Sequence, residues 1–323
     1  MPKLSIVIPC YNEEATVATL YDEFLDVFGR EGIGFEVIFI NDGSKDGTMQ
    51  ALREVAGRKA GRVRVVNFSR NFGKDAGIYA GLKEARGEYT VIMDGDLQHP
   101  PQVVVEMVRY LDGHPEADSV AARQAQRREG RVLSLFKRMF YSVINRMSQI
   151  EFVPGASDFR AFRRNMKDAI LSMTEYFRFS KGIFSFVGFD THYITYEARE
   201  RGGGVTKWSF WKLVGYAIDG IIGFSVMPLK MITLVGGGIS AVSFIYMVFV
   251  ILQKLVWGID IPGYPTLVVL VLLLGGLQLF ALGIIGEYLG RNYIEVKKRP
   301  IYIAKEILDN SDTLIEKERP LKK

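Results

Sequence analysis

Two stretches without a charged residue constrain this chain more than any other feature. They lie at 231–252 and 266–286, and each is long enough to cross a bilayer as a helix. The glycines and prolines between them indicate a tight loop. The alternative is a pair of buried helices in a soluble protein, but two adjacent spans of this length are hard to bury in one core. We therefore expect two transmembrane helices.

Basic residues flank both spans, whereas the connecting loop carries only Lys254 and Asp260. The flanking residues are Lys207, Lys212, Lys230, Arg291, Lys297, Lys298 and Arg299. Cytoplasmic segments of membrane proteins carry such an excess, so both termini are expected in the cytoplasm and the loop outside. The N-terminal part has no long apolar signal core, which also predicts that it stays in the cytoplasm.

The N-terminal part alternates between apolar β-rich runs and segments with helical spacing. Strands are predicted at 4–9, 35–40, 63–68 and 89–93, with helices at 12–28, from 48 onward and at 74–86. This alternation favours an α/β domain with a mainly parallel sheet. Ligands of such sheets bind at the carboxyl ends of the strands.

Polar groups follow three of these strands: NEE at 12–14, NDGS at 41–44 and DGD at 94–96. Asp94 and Asp96 are one residue apart, so an extended strand end would place both carboxylates on one side. A hard divalent cation prefers such oxygen ligands and often shares them with substrate phosphates. A bare D-x-D is also compatible with a solvated turn. The three strand ends together favour a site at one edge of the sheet.

Composition excludes some classes of function. The formal charge is +5, and no basic stretch is interleaved with stacking aromatic residues, so we expect no nucleic-acid partner. Cys10 is the only cysteine, which rules out an intrachain disulfide and fits a reducing compartment. Segments 133–150 and 208–224 are apolar on one side and interrupted by charges. They predict interfacial helices lying on a membrane, or else ordinary helices packed on the soluble domain.

The order of the motifs resembles the family 2 glycosyltransferases with the GT-A fold. The motifs are PCYNEE at 9–14, NDGSKDGT at 41–48, NFGKDAGIYAGL at 71–82, DGDLQHPP at 94–101, SDFRAFRR at 157–164 and RGGGVTK at 201–207. The two spans and the tail GEYLGRNYIEVKKRPIYI at 286–303 follow. The whole set is similar to the polyisoprenyl-phosphate glycosyltransferases, especially the bacterial GtrB-type glucosyl branch, with dolichyl-phosphate mannose synthases as more distant relatives.

The resemblance implies roles for individual residues. Donor nucleotide binding falls to Pro9, Tyr11, Glu13 or Glu14, Asp42 and Asp94. Mg²⁺ or Mn²⁺ would be held by Asp94, Asp96 and Gln98, which makes Asp96 part of the catalytic machinery with Asp158. Asp158 would orient the acceptor, with a role as base as the lesser option. The acceptor phosphate would meet Arg123, Arg127, Arg201 and Lys207. Val205 stands where relatives often carry a polar or acidic residue, which weakens the assignment of Lys207.

Simpler roles remain open for several of these residues. Glu14 could lie in the first turn of a helix, where acidic side chains favour the helix dipole. Asp42 could be a turn residue, and Arg127 a solvated or lipid-facing charge. His99 is interpreted as a hydrogen-bonded turn residue in preference to a metal ligand, because oxygen ligands suit Mg²⁺ or Mn²⁺ better.

The implied reaction moves glucose from UDP-glucose to polyprenyl phosphate with inversion at the anomeric carbon. GDP-mannose or a UDP-aminoarabinose derivative is the alternative donor, and a non-catalytic membrane scaffold is the alternative of another class. The expected organisation is a cytoplasmic catalytic domain at 1–206, an interfacial helix at 207–228, two transmembrane helices at 229–290 and a basic cytoplasmic tail at 291–323. We expect a multi-pass protein of the inner membrane, and the resemblance suggests a homotetramer.

Overall fold

The computed structural model describes residues 2–58, 60–124, 145, 156–199, 222–257 and 263–310. The strands are β1 (Leu4–Cys10), β2 (Phe35–Asn41), β3 (Arg62–Phe68), β4 (Tyr89–Ile92), β5 (Ser119–Gln124), β6 (Ala156–Arg163), β7 (Thr191–Tyr196) and β8 (Ala304–Asp309). The helices are α1 (Val17–Arg30), α2 (Thr48–Gly57), α3 (Lys74–Glu84), α4 (Pro101–Gly113), α5 (Arg164–Ser172), α6 (Ser180–Phe186), α7 (Met227–Trp257) and α8 (Tyr264–Val296). The strands form one sheet in the order β7-β5-β6-β4-β1-β2-β3-β8.

The directions of the strands bring several strand ends to one edge of the sheet. Strand β1 pairs in parallel with β2 and β4, and β2 pairs in parallel with β3. Strand β6 runs antiparallel to β4 and to β5, and β5 is parallel to β7. The end of β1 through β5 and of β7 therefore lies at the same edge as the start of β6. We call it the carboxyl edge. The prediction of an α/β fold with a mainly parallel sheet is confirmed.

Alternating side chains of the central strands bury both faces of the sheet. Ile6 and Ile8 of β1 pack in a core with residues of α1, α2 and α4, whereas Val7 packs in a second core with residues of α3, α5 and α6. Each of these side chains is fully buried, and such burial contributes about 1.5–3 kcal/mol per large aliphatic side chain. The two layers of helices fix the loops that leave the carboxyl edge.

The four predicted strands are confirmed to within a residue, but the predicted start of the first helix is wrong. It was expected at residue 12, whereas α1 begins at Val17. Asn12 has a φ of 58°, which is not helical. Residues 12–14 are instead hydrogen-bonded to the loop after β2.

The chain returns from the apolar helices to the sheet. Strand β8 pairs antiparallel with β3 and closes that edge of the sheet. Arg64 of β3 is buried and forms ion pairs with Asp309 of β8 and with Glu84, the latter at 2.5 Å. The side chain of Asn310 accepts a hydrogen bond from Val63 N at 2.8 Å. Part of the expected tail at 291–323 is thus a strand of the domain that was expected to end at residue 206.

Helices α7 and α8 contain the two predicted spans. Windows long and apolar enough to cross a membrane cover Met227–Gln253 and Val269–Val296, with mean hydropathy of 2.2 and 2.4. No residue in the most apolar part of either helix is buried inside the described chain. The two helices are therefore not packed in a core of the described chain, which counts against the alternative of two buried helices. We expect the apolar surfaces to face lipid.

A small set of contacts joins the catalytic domain to these helices. The ring of Phe224 lies against Gly182 of α6 and, at 6.1 Å between centroids, against Phe179. Tyr288 Oη of α8 donates a hydrogen bond to Ser225 O at 2.7 Å. We call these contacts the domain–helix junction. The expected interfacial helices at 133–150 and 208–224 fall almost wholly outside the described residues.

Candidate active site

The loops after β1 and β2 are bonded to each other at the carboxyl edge. Asn12 N donates to Ser44 Oγ at 3.0 Å, and Asn12 Oδ1 accepts from Lys45 N at 2.9 Å. Glu13 N donates to Thr48 Oγ1 at 2.8 Å. The two polar motifs that were predicted separately therefore form one wall of a single site.

The two acidic residues of the first loop have different partners. Glu13 accepts a hydrogen bond from Thr16 Oγ1 at 2.9 Å. Glu14 Oε2 accepts one from Gly47 N at 2.9 Å and so ties the two loops together. Because α1 begins at Val17, Glu14 does not lie in its first turn, and that alternative is wrong. A nucleotide contact by Glu13 or Glu14 stays a prediction.

Asp42 is buried and organises the loop that leads into α3. Its carboxylate accepts hydrogen bonds from Phe72 N at 2.6 Å and Gly73 N at 3.0 Å. Burial raises the pKa of Asp42 above its usual range, although these bonds oppose the shift. Asp42 therefore joins the end of β2 to the start of α3. Tyr11 is exposed at the same edge, and Pro9 packs against Gly77 of α3.

Gly43 makes this crossing possible, and its replacement is a test of the loop structure. Its φ is 63°, and a Cβ built there would lie 2.5 Å from Asn71 N. We expect Gly43→Ala to destabilise the protein by about 2 kcal/mol, because both the backbone conformation and the close approach oppose a side chain. Thermal unfolding of the detergent-solubilised protein measures the effect.

Gly57→Ala is the matched control for Gly43. Gly57 ends α2, and a Cβ built there meets no atom within 4 Å. Alanine in a helix is favoured over glycine by about 0.8–1 kcal/mol, so we expect no loss of stability. Equal unfolding temperatures of the Gly43→Ala and Gly57→Ala variants would contradict the close approach of the loop after β2 to the loop before α3.

The loop after β4 places Asp94 and Asp96 in different environments. Asp94 is partly exposed, whereas Asp96 is buried and its Oδ1 accepts from Gln98 N at 3.2 Å. Asp94 N donates to Nδ1 of His99, whose ring stacks on Phe159 at 4.4 Å. Burial lowers the pKa of His99, in keeping with a neutral ring that accepts this bond. The interpretation of His99 as a hydrogen-bonded turn residue is confirmed.

Lys74 links the loop after β4 to the start of β6. Its ammonium lies 2.7 Å from Asp94 Oδ1 and 2.9 Å from Asp158 Oδ2. Burial would raise the pKa of Asp158, but Lys74 and then Lys181 lower it below its usual range. Asp158 and Asp94 thus share Lys74 as an ion-pair partner, and a contact of Asp158 with the acceptor stays a prediction. Lys74 was not predicted as a site residue, although NFGKDAG places a lysine at a predicted helix start.

Further charged groups line the same side of β6. Asp75, the second residue of α3, accepts hydrogen bonds from Ser180 N at 3.1 Å and from the Ser180 hydroxyl. Arg160 is buried with its guanidinium 3.9 Å from the centre of the Phe184 ring, and burial lowers its pKa to about 10. Both contacts involve α6, which belongs to the domain–helix junction. The junction therefore borders the site directly.

One of the predicted acceptor residues is described. Arg123 lies near the end of β5, opposite Ala156 at the start of β6, and its guanidinium is 4.9 Å from the centre of the Tyr193 ring. This places it at the carboxyl edge, as expected for a phosphate contact. Arg127, Arg201 and Lys207 lie outside the described residues, so their roles stay predictions.

The donor set of the loop after β4 fits a hard divalent cation. Asp94 and Asp96 supply carboxylate oxygens, and Gln98 carries an amide oxygen on the same loop. Among the described residues there is no cluster of three or more His, Cys, Asp or Glu side chains that could hold a metal. Mg²⁺ is commonly bound by one or two carboxylates together with substrate phosphates. The arrangement fits that mode, in which the substrate completes the coordination.

The parallel strand ends and the carboxylate-rich loop belong to a GT-A-like α/β domain. The model of the family "Glycosyl transferase family 2" matches residues 5–171, which include β2 through β6, all of β1 except Leu4, and every described site residue named above up to Asp158. The chain belongs to glycosyl transferase family 2.

Several characterised and uncharacterised proteins are similar over nearly the whole chain. A glycosyltransferase of Synechocystis is 42% identical, covering 94% of this chain and 95% of its own. A prophage bactoprenol glucosyl transferase homolog of Escherichia coli is 37% identical, covering 94% and 99%. The bactoprenol glucosyl transferase of Shigella phage SfII is also 37% identical, covering 94% and 98%. The similarity thus includes the apolar helices.

Among solved structures, glucosyl-3-phosphoglycerate synthase from Mycobacterium tuberculosis, in complex with Mn²⁺, UDP-glucose and phosphoglyceric acid, is 19% identical. It has a TM-score of 0.47, and the match covers 68% of this chain and 78% of that one.

Proposed function

We propose that this protein transfers glucose from UDP-glucose to polyprenyl phosphate at the cytoplasmic face of the inner membrane. The relatives named bactoprenol glucosyl transferase support both the sugar and the lipid acceptor. Their similarity extends over 94% of this chain, so it is not confined to the nucleotide-binding part.

The structural observation that carries the proposal is the short path from the site to the apolar helices. Lys74 of the site is followed by Asp75, which binds Ser180 at the start of α6. The same helix contacts Phe224, shortly before α7. A polyprenyl phosphate keeps its phosphate at the membrane surface while its chain lies in the bilayer. A site bonded to the base of two membrane-length helices is suited to that acceptor.

On the donor side, the residues of this chain position a diphosphate for departure. The bonded loops after β1 and β2 form the wall that would hold the nucleoside, with Tyr11 exposed beside it. Asp94 and Asp96 would hold a divalent cation, which neutralises the charge that develops on the leaving diphosphate. Departure on one side and attack from the other would invert the anomeric carbon.

On the acceptor side, the structure favours orientation over proton removal by Asp158. A phosphate monoester has a second pKa of about 6 and is mostly ionised at neutral pH. Its oxygen therefore needs little help from a general base. The Asp158 carboxylate is held by Lys74 at 2.9 Å and its pKa is lowered, which makes it a weak base. We propose that it fixes the cations that meet the acceptor phosphate.

A donor screen tests the proposed reaction. Purified protein in detergent is incubated with polyprenyl phosphate and labelled UDP-glucose, GDP-mannose or a UDP-aminoarabinose derivative, and label in the lipid extract is counted. We expect transfer from UDP-glucose that EDTA abolishes and that added Mg²⁺ or Mn²⁺ restores. Transfer from one of the other donors would refute the choice of sugar. No transfer from any of them would favour the scaffold.

The membrane helices also carry glycines that the described chain does not pack against. A Cβ built on Gly236, Gly237, Gly238, Gly275 or Gly276 meets no atom within 4 Å. Small residues let transmembrane helices approach closely, so these positions suit contacts between copies in the proposed homotetramer. Light scattering of the detergent complex should give four chain masses, and a single chain mass would exclude the assembly.

A further inference from the structure

Lys74 occupies a position that its own helix does not favour. It is the first residue of α3, and the N-terminus of a helix carries partial positive charge that disfavours a cation. Its ammonium is held there by Asp94 at 2.7 Å and Asp158 at 2.9 Å. These two carboxylates come from the loop after β4 and from β6, on separate parts of the chain. The cost of the placement suggests a role in the site.

The ammonium lies between the two halves of the proposed reaction. Asp94 belongs to the loop that fits a divalent cation, and Asp158 belongs to the expected acceptor side. The Lys74 side chain is 42% exposed. Its ion pair with Asp94 therefore lies at an open edge of the domain and is not sealed in a core. A pair with that exposure can exchange partners when a ligand enters, because surface ion pairs are weak.

A divalent cation and the ammonium oppose each other at Asp94. The Asp94 carboxylate attracts both the divalent cation and the Lys74 ammonium. The ammonium repels a doubly charged ion a few ångströms away, whereas a neutral side chain would not. When the cation arrives with its diphosphate, new anionic oxygens become available beside Lys74. The ammonium can then move from the Asp94 carboxylate to a phosphate oxygen while Asp158 keeps it in place.

We propose that Lys74 substitutes for the divalent cation on Asp94 and moves to a phosphate oxygen when cation and substrate bind. The move of Lys74 to a phosphate oxygen rests on the proposed function, since the phosphate is that of the donor or the acceptor. The substitution for the divalent cation on Asp94 concerns cation binding alone and is measured without any substrate.

The test compares Lys74→Met with wild type in two measurements. Mn²⁺ is titrated into nucleotide-free protein, and free Mn²⁺ is followed by electron paramagnetic resonance. We expect Lys74→Met to bind Mn²⁺ about tenfold more tightly, because a competing positive charge is gone. We also expect kcat for sugar transfer to fall about 100-fold, because a donor to the developing charge is lost.

Two further variants separate this role from a structural one. Lys74→Arg keeps a positive charge and should bind Mn²⁺ as wild type does. Lys83→Met removes a lysine from the other end of the same helix, where its ammonium lies 5.9 Å from the centre of the Tyr79 ring. It should change neither Mn²⁺ binding nor turnover. The gain in unfolding temperature on adding Mn²⁺ should be larger for Lys74→Met than for wild type, which can be measured even if that variant is less stable.

Tighter Mn²⁺ binding together with slower turnover is the expected result. Mn²⁺ binding that is unchanged or weaker in Lys74→Met overturns the inference, even if turnover is lost. If Lys74 only supported the fold, its replacement would not strengthen Mn²⁺ binding while it slowed turnover. Absence of sugar transfer by the wild-type protein counts against the proposed function instead. The Mn²⁺ titration then still decides whether Lys74 substitutes for the cation.

Discussion

Asp94→Asn and Asp96→Asn should each lower kcat for sugar transfer by about 10³-fold, equivalent to about 4 kcal/mol of transition-state stabilisation. Each change keeps the size of the side chain and removes one negative charge from the loop that fits the cation. The leaving diphosphate gains charge as its bond to the sugar breaks, so the loss should appear in kcat. Initial rates with labelled UDP-glucose at saturating Mg²⁺ and Mn²⁺ measure it.

Asp22→Asn is the matched control for these two variants. Asp22 lies on α1 and its carboxylate is 2.7 Å from Arg58 in an exposed ion pair. Such pairs contribute about 0–1 kcal/mol, so neither stability nor turnover should change appreciably. Glycolipid formation at the wild-type rate by Asp94→Asn and Asp96→Asn would show that the loop after β4 is not the catalytic centre. If Asp94→Asn and Asp96→Asn unfold near the temperature of the wild-type protein, their loss of activity is not caused by a loss of folding.

The part of the site built from local patterns could be predicted from the sequence. Strands β1, β2 and β4 have dense apolar runs, and each is followed at once by polar residues. A run of that kind is typical of a strand buried on both faces, so its position and its end follow from a few neighbouring residues. That was enough to place Asp42, Asp94 and Asp96 at one edge.

The pairing of distant segments could not be predicted in the same way. Strand β8 has the sequence AKEILD, which is short and charged, and its partner Arg64 is 245 residues from Asp309. Strands β5, β6 and β7 were likewise not predicted as strands. The Lys74 contact depends on them, because β6 must run antiparallel to β4 before Asp158 reaches the carboxyl edge.

The first loop shows a different limit. Residues 12–16 have a composition that suits a helix start, yet Asn12 and Glu14 are used in hydrogen bonds to the loop after β2. A tertiary contact outweighed the local preference there, as happens where a short helical turn competes with several hydrogen bonds. The local sequence pattern does not contain the position of the loop after β2, so it could not predict that these hydrogen bonds would replace the helical turn.

Asp309→Ala should destabilise the catalytic domain by about 3 kcal/mol. Arg64 is buried, and loss of Asp309 would leave its guanidinium with Glu84 as its remaining ion-pair partner among the described residues. A buried guanidinium that loses one of its two carboxylate partners is destabilised, whereas removing the guanidinium together with that partner costs less. The double variant Arg64→Met with Asp309→Ala should therefore be less destabilised than the sum of the single changes. Thermal unfolding of the solubilised protein gives all three values.

Glu306→Ala on the same strand tests whether the buried pair, and not the strand as such, carries this effect. Glu306 of β8 meets Arg53 at 2.8 Å in a partly exposed ion pair, and such a pair contributes about 0–1 kcal/mol. A large loss for Asp309→Ala with little loss for Glu306→Ala would show that β8 is locked into the sheet through Arg64. Since β8 follows α8 in the chain, that lock would bind the catalytic domain to the membrane helices from both ends. Equal, small losses for the two variants would mean that β8 does not stabilise the domain.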